Sequence, residues 1–343
     1  MKKGVKITIF VAIGLIVLGA VMSFVALAGV GFNVKEVATT KNYIEKSVDF
    51  TEEFKNINVD MGSGGIEVLK SDNDYSSFVY YESDVDIYKT EVKDDTLNIK
   101  HERKNTFASW FSFDINIQPA RLYLASDVYE NAVVKSGSGS IAFKDEITFT
   151  DVDANTGSGS VKIYGLTAND LVAHSNSGSV EMKDTKAKSA DLSTGSGSVK
   201  VDNCEIQTLL SEKTNSGSVY CDNVTCNSAN LKTGSGSVKS VNVSCESDFT
   251  ANTSSGSINL DEVVSGNTFF AKTGSGSIKL ASSDGADMTL NTGSGSISGT
   301  VKTPKMWDCT SGSGSIKNPA DDPTGGKCVA HTGSGSIKLE VVQ

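Results

Sequence analysis

Thr233-Gly234-Ser235-Gly236-Ser237-Val238 decides the fold, because this phrase returns about every twenty residues from Gly137 to the C-terminus. With the Val or Ile after GSGS as origin, the copies fall at Ile141, Val161, Val180, Val199, Val219, Val238, Ile258, Ile278, Ile297, Ile316 and Ile337, at intervals of 19 to 21 residues. Eleven copies at one period mark a repeat architecture rather than a tether. An earlier copy, Met61-Gly62-Ser63-Gly64-Gly65-Ile66, stands 75 residues ahead of the others.

Two residues before the origin every copy has Gly: Gly139, Gly159, Gly178, Gly197, Gly217, Gly236, Gly256, Gly276, Gly295, Gly314 and Gly335. Four before, Gly alternates in places with Asn176, Asn215 and Ser254. Gly and Asn tolerate positive φ most readily, so both positions are expected to be backbone corners. Apolar residues precede the corner at seven and nine before the origin, as in Leu192 and Ala190 or Leu231 and Ala229. They follow it at the origin and two beyond, as in Val199 and Val201 or Ile278 and Leu280. An extended strand alternates inward and outward with period two, so this change of parity requires a bend at GSG. Each copy is then a short strand, a Gly corner, a second short strand and a looser connection such as Asp202-Asn203.

One such copy cannot bury its inward residues alone, whereas stacked coils bury a continuous apolar column. The fold class is therefore all-β: a single-stranded parallel β-solenoid, or β-helix, right-handed by the crossover rule. Eleven coils about 4.8 Å apart would extend roughly 50 Å. Repeated Ser side chains should form ladders along the axis. Residues 132–343 form the regular part, and 33–131, with Ile57 and Val59 before the early Gly corner and Ile66 and Val68 after it, its irregular β-rich opening and cap. Trp110, Phe111 and Phe113 are expected to pack in that cap.

Lys2, Lys3 and Lys6 precede an uncharged stretch from Ile7 to Val34. That exceeds the roughly 20 residues needed to span a bilayer and reads as a transmembrane helix over 7–32 with a cytoplasmic N-terminus at 1–6. The length favours an uncleaved signal anchor, while Ala26-Leu27-Ala28 leaves cleavage after Ala28 open. Either way, the bulk of the chain lies outside the cell membrane. The net charge of -10 divides into three Lys and no acid over 1–32, 11 basic against 19 acidic over 33–131, and 17 against 22 over 132–343. No basic run with interleaved aromatics is present, so no nucleic-acid partner is expected.

The outward residue after the origin is Lys162, Glu181, Lys200, Tyr220, Lys239, Asn259, Lys279, Ser298, Lys317 and Lys338 in chain order. Lys at alternate coils suggests an ancestral pair of coils near 39 residues, and separates like charges by two rungs. Lys162, Lys200, Lys239, Lys279 and Lys317 form a candidate stripe for anionic wall polymers; a solvated face that discourages sheet aggregation is the plainer alternative.

A lysine-flanked membrane segment, a β-rich opening with Gly62-Ser63-Gly64-Gly65-Ile66-Glu67-Val68, and serial T-GSGS-[IV]-K-[LV] coils resemble the bacterial envelope proteins grouped as putative adhesins, a domain family of unknown function with β-strand repeats. The resemblance covers nearly all of the extracytoplasmic part. It implies a repeat-built surface protein and brings no catalytic residue with it.

The remaining chemistry is sparse. His101, His174 and His331 lie at no metal-ligand spacing, no copy fits G-x-S-x-G, and no GxxxxGK[ST] occurs, so no catalytic residue, metal or cofactor is expected. Asp72/Asp74 and Asp84/Asp86 lack the features of a calcium loop and read as acids on an outward strand face. Of the six Cys, Cys226 and Cys245 both stand seven past their origins and should meet on neighbouring coils, as a disulfide or as small apolar fillers. The reading is a non-catalytic, membrane-anchored surface solenoid, an adhesin or envelope scaffold contacting wall polymers or envelope proteins. An envelope-stress or signalling accessory shares the same architecture. A polysaccharide-acting β-helix enzyme would need a clustered acid set that the outward column lacks.

Overall fold

A computed structural model of the chain describes residues 43–104 and 118–342, with helical positions at 12, 14, 16–19 and 21. Among the described residues no helix is long and apolar enough to cross a membrane. The expected span 7–32 lies outside them apart from those helical positions, and Trp110, Phe111 and Phe113 lie outside them altogether. Two compact units are distinguished: a larger one of 46–80, 88–102 and 118–343, and a smaller one of 1–45, 81–87 and 103–117.

In the smaller unit Asp86 is buried, not outward-facing as its alternation with Asp84 implies. A buried carboxylate needs partners. It accepts the Tyr43 hydroxyl at 3.0 Å and lies 3.7 Å from Arg103 Nε.

The larger unit is the parallel β-solenoid. Origin residues stack in one file from Ala120 through Ile66, Ile141 and Val161 to Ile297, Ile337 and Ile316, buried along its length except at the terminal Ile316, which is exposed. The early copy at Ile66 is thus a rung of the same stack, set directly against Ile141 despite the 75 residues between them.

Each coil has three faces, one more than the repeat suggests. The first face carries the origin and the residue two beyond, Val199 and Val201 for example. A left-handed residue four past the origin then turns the chain: Gly165, Asp184, Asn203, Asn223, Asn242, Glu262 and Ser282, in seven successive coils, have φ between 45° and 72°. Asn and Asp bear this conformation better than most residues. The supposed loose connection is therefore a second corner, after which Cys204 and Ile206, or Val224 and Cys226, point inward on a second face. A shift of register between Ile206 and Leu209 leads into the third face, where Leu210 and Ala229 stack.

The GSG corner is real, but not for the expected reason. Among the copies at Ile141 and beyond no corner glycine has positive φ; only Gly62 of the early copy does. What excludes a side chain is the neighbouring coil. A Cβ on Gly236 would be driven into the carbonyl of Gly217 and stand 2.8 Å from Ser218 N, under the 3.0 Å that real Cβ atoms respect.

Sequential stacking fails at both ends. The strand Asn56–Asp60 lies between 96–100 and 132–135, so the outermost N-terminal rung comes from later in the chain. At the other end Lys327–Thr332 lies between 287–292 and Met306–Ser311, which makes the next-to-last coil in sequence the last in space.

Candidate functional site

Exposed lysines stand beside the corner that repeats most strictly. On its inner side, the Thr five before the origin is buried and bridges two coils: Thr233 Oγ1 accepts from Gly236 N at 3.2 Å and donates to Gly217 O of the preceding coil at 2.7 Å. Thr156, Ser175, Thr194, Thr214, Thr253, Thr273, Thr292 and Thr332 donate in the same way. A buried carbonyl and a buried amide are satisfied by one hydroxyl, which explains why Thr stands directly before GSGS. On the rim, the expected Ser ladder is present. Ser198 N donates to Ser179 Oγ, Ser218 N to Ser198 Oγ and Ser237 N to Ser218 Oγ, each at 3.2 to 3.3 Å. The corner is thus a rigid ridge along the axis.

Lysines flank this ridge on both sides. On the first face the outward file runs Lys162, Glu181, Lys200, Tyr220, Lys239, Asn259, Lys279, Ser298, Lys338, Lys317. The alternate-rung phase is therefore kept by Lys338, not by Lys317 as chain order implies; Lys317 sits one rung beyond it, on the terminal coil. Successive lysines in phase are about 9.6 Å apart, twice the strand spacing. All are exposed, and Lys200 lies 3.7 Å from Glu181. Glu181 also hydrogen-bonds Tyr164, whose hydroxyl is pushed up to about 12, first by burial and then by that carboxylate.

On the third face a second basic file, missed in the repeat, stands seven residues before the first. Lys213 and Lys232 stack on adjacent rungs, and Lys272 follows after Asn252. Three of these flank the same corners as Lys239 and Lys279 or the Tyr220 coil, and the signal was available as K-T-G-S-G-S-[VI]-K at 232–239 and 272–279. Lys213 has a loose partner in Asp191 at 3.7 Å.

The other recess of note is a cleft of 470 Å³ near the N-terminal rungs, floored by Phe50, Phe54 and Tyr129 and rimmed by Glu52, Glu53, Asp74 and Asp95. Its rings pack on one another, with centroids 6.2 Å apart for Phe50 and Phe54 and 5.7 Å for Phe54 and Tyr129. Burial raises the Tyr129 phenol, whose oxygen accepts from Ser126 N at 3.0 Å. The aromatic floor is thus committed to packing.

The histidines are spread out. His174 bonds Ser193 Oγ and Asn176 Oδ1 on the third face, His101 packs against the Tyr88 ring, and His331 stands outward in a terminal coil. Among the described residues no three His, Cys, Asp or Glu side chains gather as a metal-binding group. Cys226 and Cys245 do meet, with Sγ atoms 3.3 Å apart. Beside them lies a residue that the repeat does not announce: Glu212, fully buried in the file otherwise held by Leu192 and Leu231. Neither carboxylate oxygen has a hydrogen-bond partner of full geometry. Burial drives its pKa well above the ordinary range, with the nearby Cys221 thiol pulling the other way.

Several solved structures are similar to this chain at low identity. A putative adhesin from Bacteroides fragilis NCTC 9343 is 18% identical over 87% of this chain and 97% of its own, with a TM-score of 0.37. A putative lipid binding protein from Parabacteroides distasonis ATCC 8503 is 15% identical over 88% and 98%, with a TM-score of 0.36. A putative adhesin from the same organism is 14% identical over 88% and 98%, with a TM-score of 0.30. No curated protein sequence matches the chain. The family model described as Toastrack DUF4097 matches twice, over residues 54–211 and 209–343, and so takes in the repeat from its early copy to the last coil. The chain belongs to the Toastrack DUF4097 family.

Proposed function

We propose that the protein is a non-catalytic, membrane-anchored surface scaffold that contacts anionic cell-wall polymers along its corner ridge. The observation that carries this reading is the pair of lysine files, Lys200, Lys239 and Lys279 on one side of the corner and Lys213, Lys232 and Lys272 on the other. The ridge between them is held by side-chain and backbone hydrogen bonds on every rung, so the charges are presented at fixed intervals with little ordering left to be done on binding. A polymer with a repeating phosphate or carboxylate would meet cations about every 9.6 Å along the first face. The uncharged segment 7–34 with its preceding lysines supports an anchor that leaves the solenoid on the outer side of the membrane.

The test is co-sedimentation of the full chain in detergent with purified anionic wall polymer. Lys→Gln at 200, 239 and 279, and separately at 213, 232 and 272, should each lower retention, and retention should fall steeply with salt. Retention equal to that of the wild type for both triple variants would overturn the polymer reading.

A further inference from the structure

All six cysteines lie in the described coils, and the register sets a single pair side by side. Cys226 is the direct neighbour of Cys245, whereas Cys204 faces Val224, Cys221 faces Val201 and Ser240, Cys309 faces Ala330, and Cys328 faces Met288 and Trp307. In-register parallel strands hold Cα atoms about 4.8 Å apart, inside the 4.4–6.8 Å window that a disulfide accepts. The two sulfurs stand 3.3 Å apart, so a closure of roughly 1.3 Å reaches bonding distance. Both side chains are buried, and no group separates them.

We propose that Cys226 and Cys245 form a disulfide that staples two neighbouring coils at the middle of the solenoid. Its place in the coil gives it a purpose. Cys226 belongs to the winding that contains Glu212 and Cys221, the one rung where a carboxyl replaces a leucine in the third-face file. The next rungs continue the polar seam with Ser240 and Ser265, whose buried hydroxyls lack partners. The link closes a 19-residue loop across this seam.

The chemistry balances with a disulfide donor such as glutathione disulfide. The thiolate of one cysteine attacks a donor sulfur, the donor S–S bond breaks, and one glutathione leaves as thiolate. The second cysteine thiolate attacks the mixed disulfide, forming the Cys226–Cys245 bond and releasing the second glutathione. Two protons pass from the cysteines to the two departing thiolates, and the donor is reduced by two electrons. The contact with Cys226, and after it burial, hold the Cys245 thiol protonated in the folded coil, so the exchange belongs to the folding chain or to a locally opened one.

Where the bond forms in the cell rests on the outward placement proposed above; whether the geometry accepts it does not. The full chain in detergent is refolded from guanidinium in a glutathione/glutathione disulfide buffer, quenched with acid, unfolded and alkylated, and mapped by mass spectrometry. The expected result is four alkylated cysteines, with fragment ions placing the link between Cys226 and Cys245 and not at Cys221. Cys226→Ala with Cys245→Ala should show four alkylated thiols and no link. Six alkylated cysteines after refolding, or links spread over other pairs, would overturn the proposal. Acid-trapped protein from growing cells forms the second arm: linked protein supports both bond and placement, whereas a refolded link with six free thiols in cells leaves the bond standing and removes the placement.

Discussion

Gly236→Ala is the substitution that tests the stacking argument most directly. The added Cβ would enter the Gly217 carbonyl group and stand 2.8 Å from Ser218 N, all backbone atoms of the preceding rung. No side chain can turn away to make room, so the two rungs must part locally. Parting them strains the bonds that fasten this corner: Thr233 Oγ1 to Gly217 O at 2.7 Å, and Ser237 N to Ser218 Oγ at 3.2 Å. Two hydrogen bonds at about 1 kcal/mol each, added to roughly 1–3 kcal/mol of overpacking, give a loss of about 3–5 kcal/mol. Gly234→Ala supplies the control. There the new atom would press only on the Asn215 carbonyl oxygen, the carbonyl carbon being 3.4 Å away, and alternate coils already carry Asn176, Asn215 or Ser254 in that slot. Its cost should stay under about 1.5 kcal/mol, in the range of tolerated core changes. Urea unfolding followed by circular dichroism measures both. If Gly236→Ala unfolds within about 0.5 kcal/mol of the wild type, or if Gly234→Ala proves the worse of the two, close approach is not what selects glycine at the corner.

Further substitutions probe three other parts of the interior. Thr233→Val removes the hydroxyl that serves Gly236 N and Gly217 O, and should cost about 1–3 kcal/mol, whereas Thr233→Ser should be nearly neutral because Ser175 fills the same slot; thermal unfolding compares them. Glu212 has a folded pKa raised far above its unfolded value of about 4.3, so the folded state holds the proton more tightly. Its contribution is then fully present below pH ~4.3 and lost as pH rises toward the folded pKa, at up to about 1.4 kcal/mol per pH unit. Denaturant unfolding between pH 4 and 8 should show Glu212→Gln flattening that slope, and an unchanged slope would place the acid elsewhere. Lys305 is buried with its ammonium 2.7 Å from Asp284 and 2.6 Å from Gly285 O; Asp284→Asn, which leaves the cation uncompensated, should destabilise by about 3–5 kcal/mol in the same assay, and more than Lys305→Met, which removes the charge.

What was legible in the repeat was whatever period and parity express. Leu192 and Ala190 before the corner, and Val199 and Val201 after it, are all buried, and the Ser ladder runs along the axis as the stacking implied. What was illegible depended on neighbours in space. Glycine at Gly236 looks the same in sequence whether selected for positive φ or for lack of a Cβ, and only the Gly217 carbonyl beside it decides. The second face was hidden because its corner residue varies among Gly165, Asp184, Asn203, Glu262 and Ser282, so no motif announced it. Chain order puts Lys317 in phase with the alternate lysines, and the exchange of the last two coils gives that place to Lys338. Glu212 could have been found: seven before the origin, the column reads Leu192, Glu212, Leu231, and the acid in that file is the anomaly.

The exchanged coils at the two ends answer a physical problem that every open solenoid faces. Its outermost rungs expose unpaired backbone groups and half a core, and a chain that simply stopped there would fray at its weakest point and offer a strand to other molecules. Here each outermost rung is taken from inside the chain, 96–100 with 120–124 at one end and Met306–Ser311 with Ile316–Lys317 at the other. In the strand Ile337–Val341 the first two residues lie between two neighbours, 297–298 on one side and Ile316–Lys317 on the other, and the rest pair with 299–301 alone. Unzipping the last rung therefore requires opening a closed loop, not peeling a free end. The exposed strand is also blunted, since the Trp307 N–H is taken by the Asp321 carboxylate at 2.9 Å and the following segment is tied back through Asp322 N to Lys305 O at 3.0 Å. At the opposite end residues 77–79 run antiparallel to 121–123, with Phe78 set against Leu122. An antiparallel neighbour cannot continue a parallel stack, so it closes the array where another coil would otherwise add.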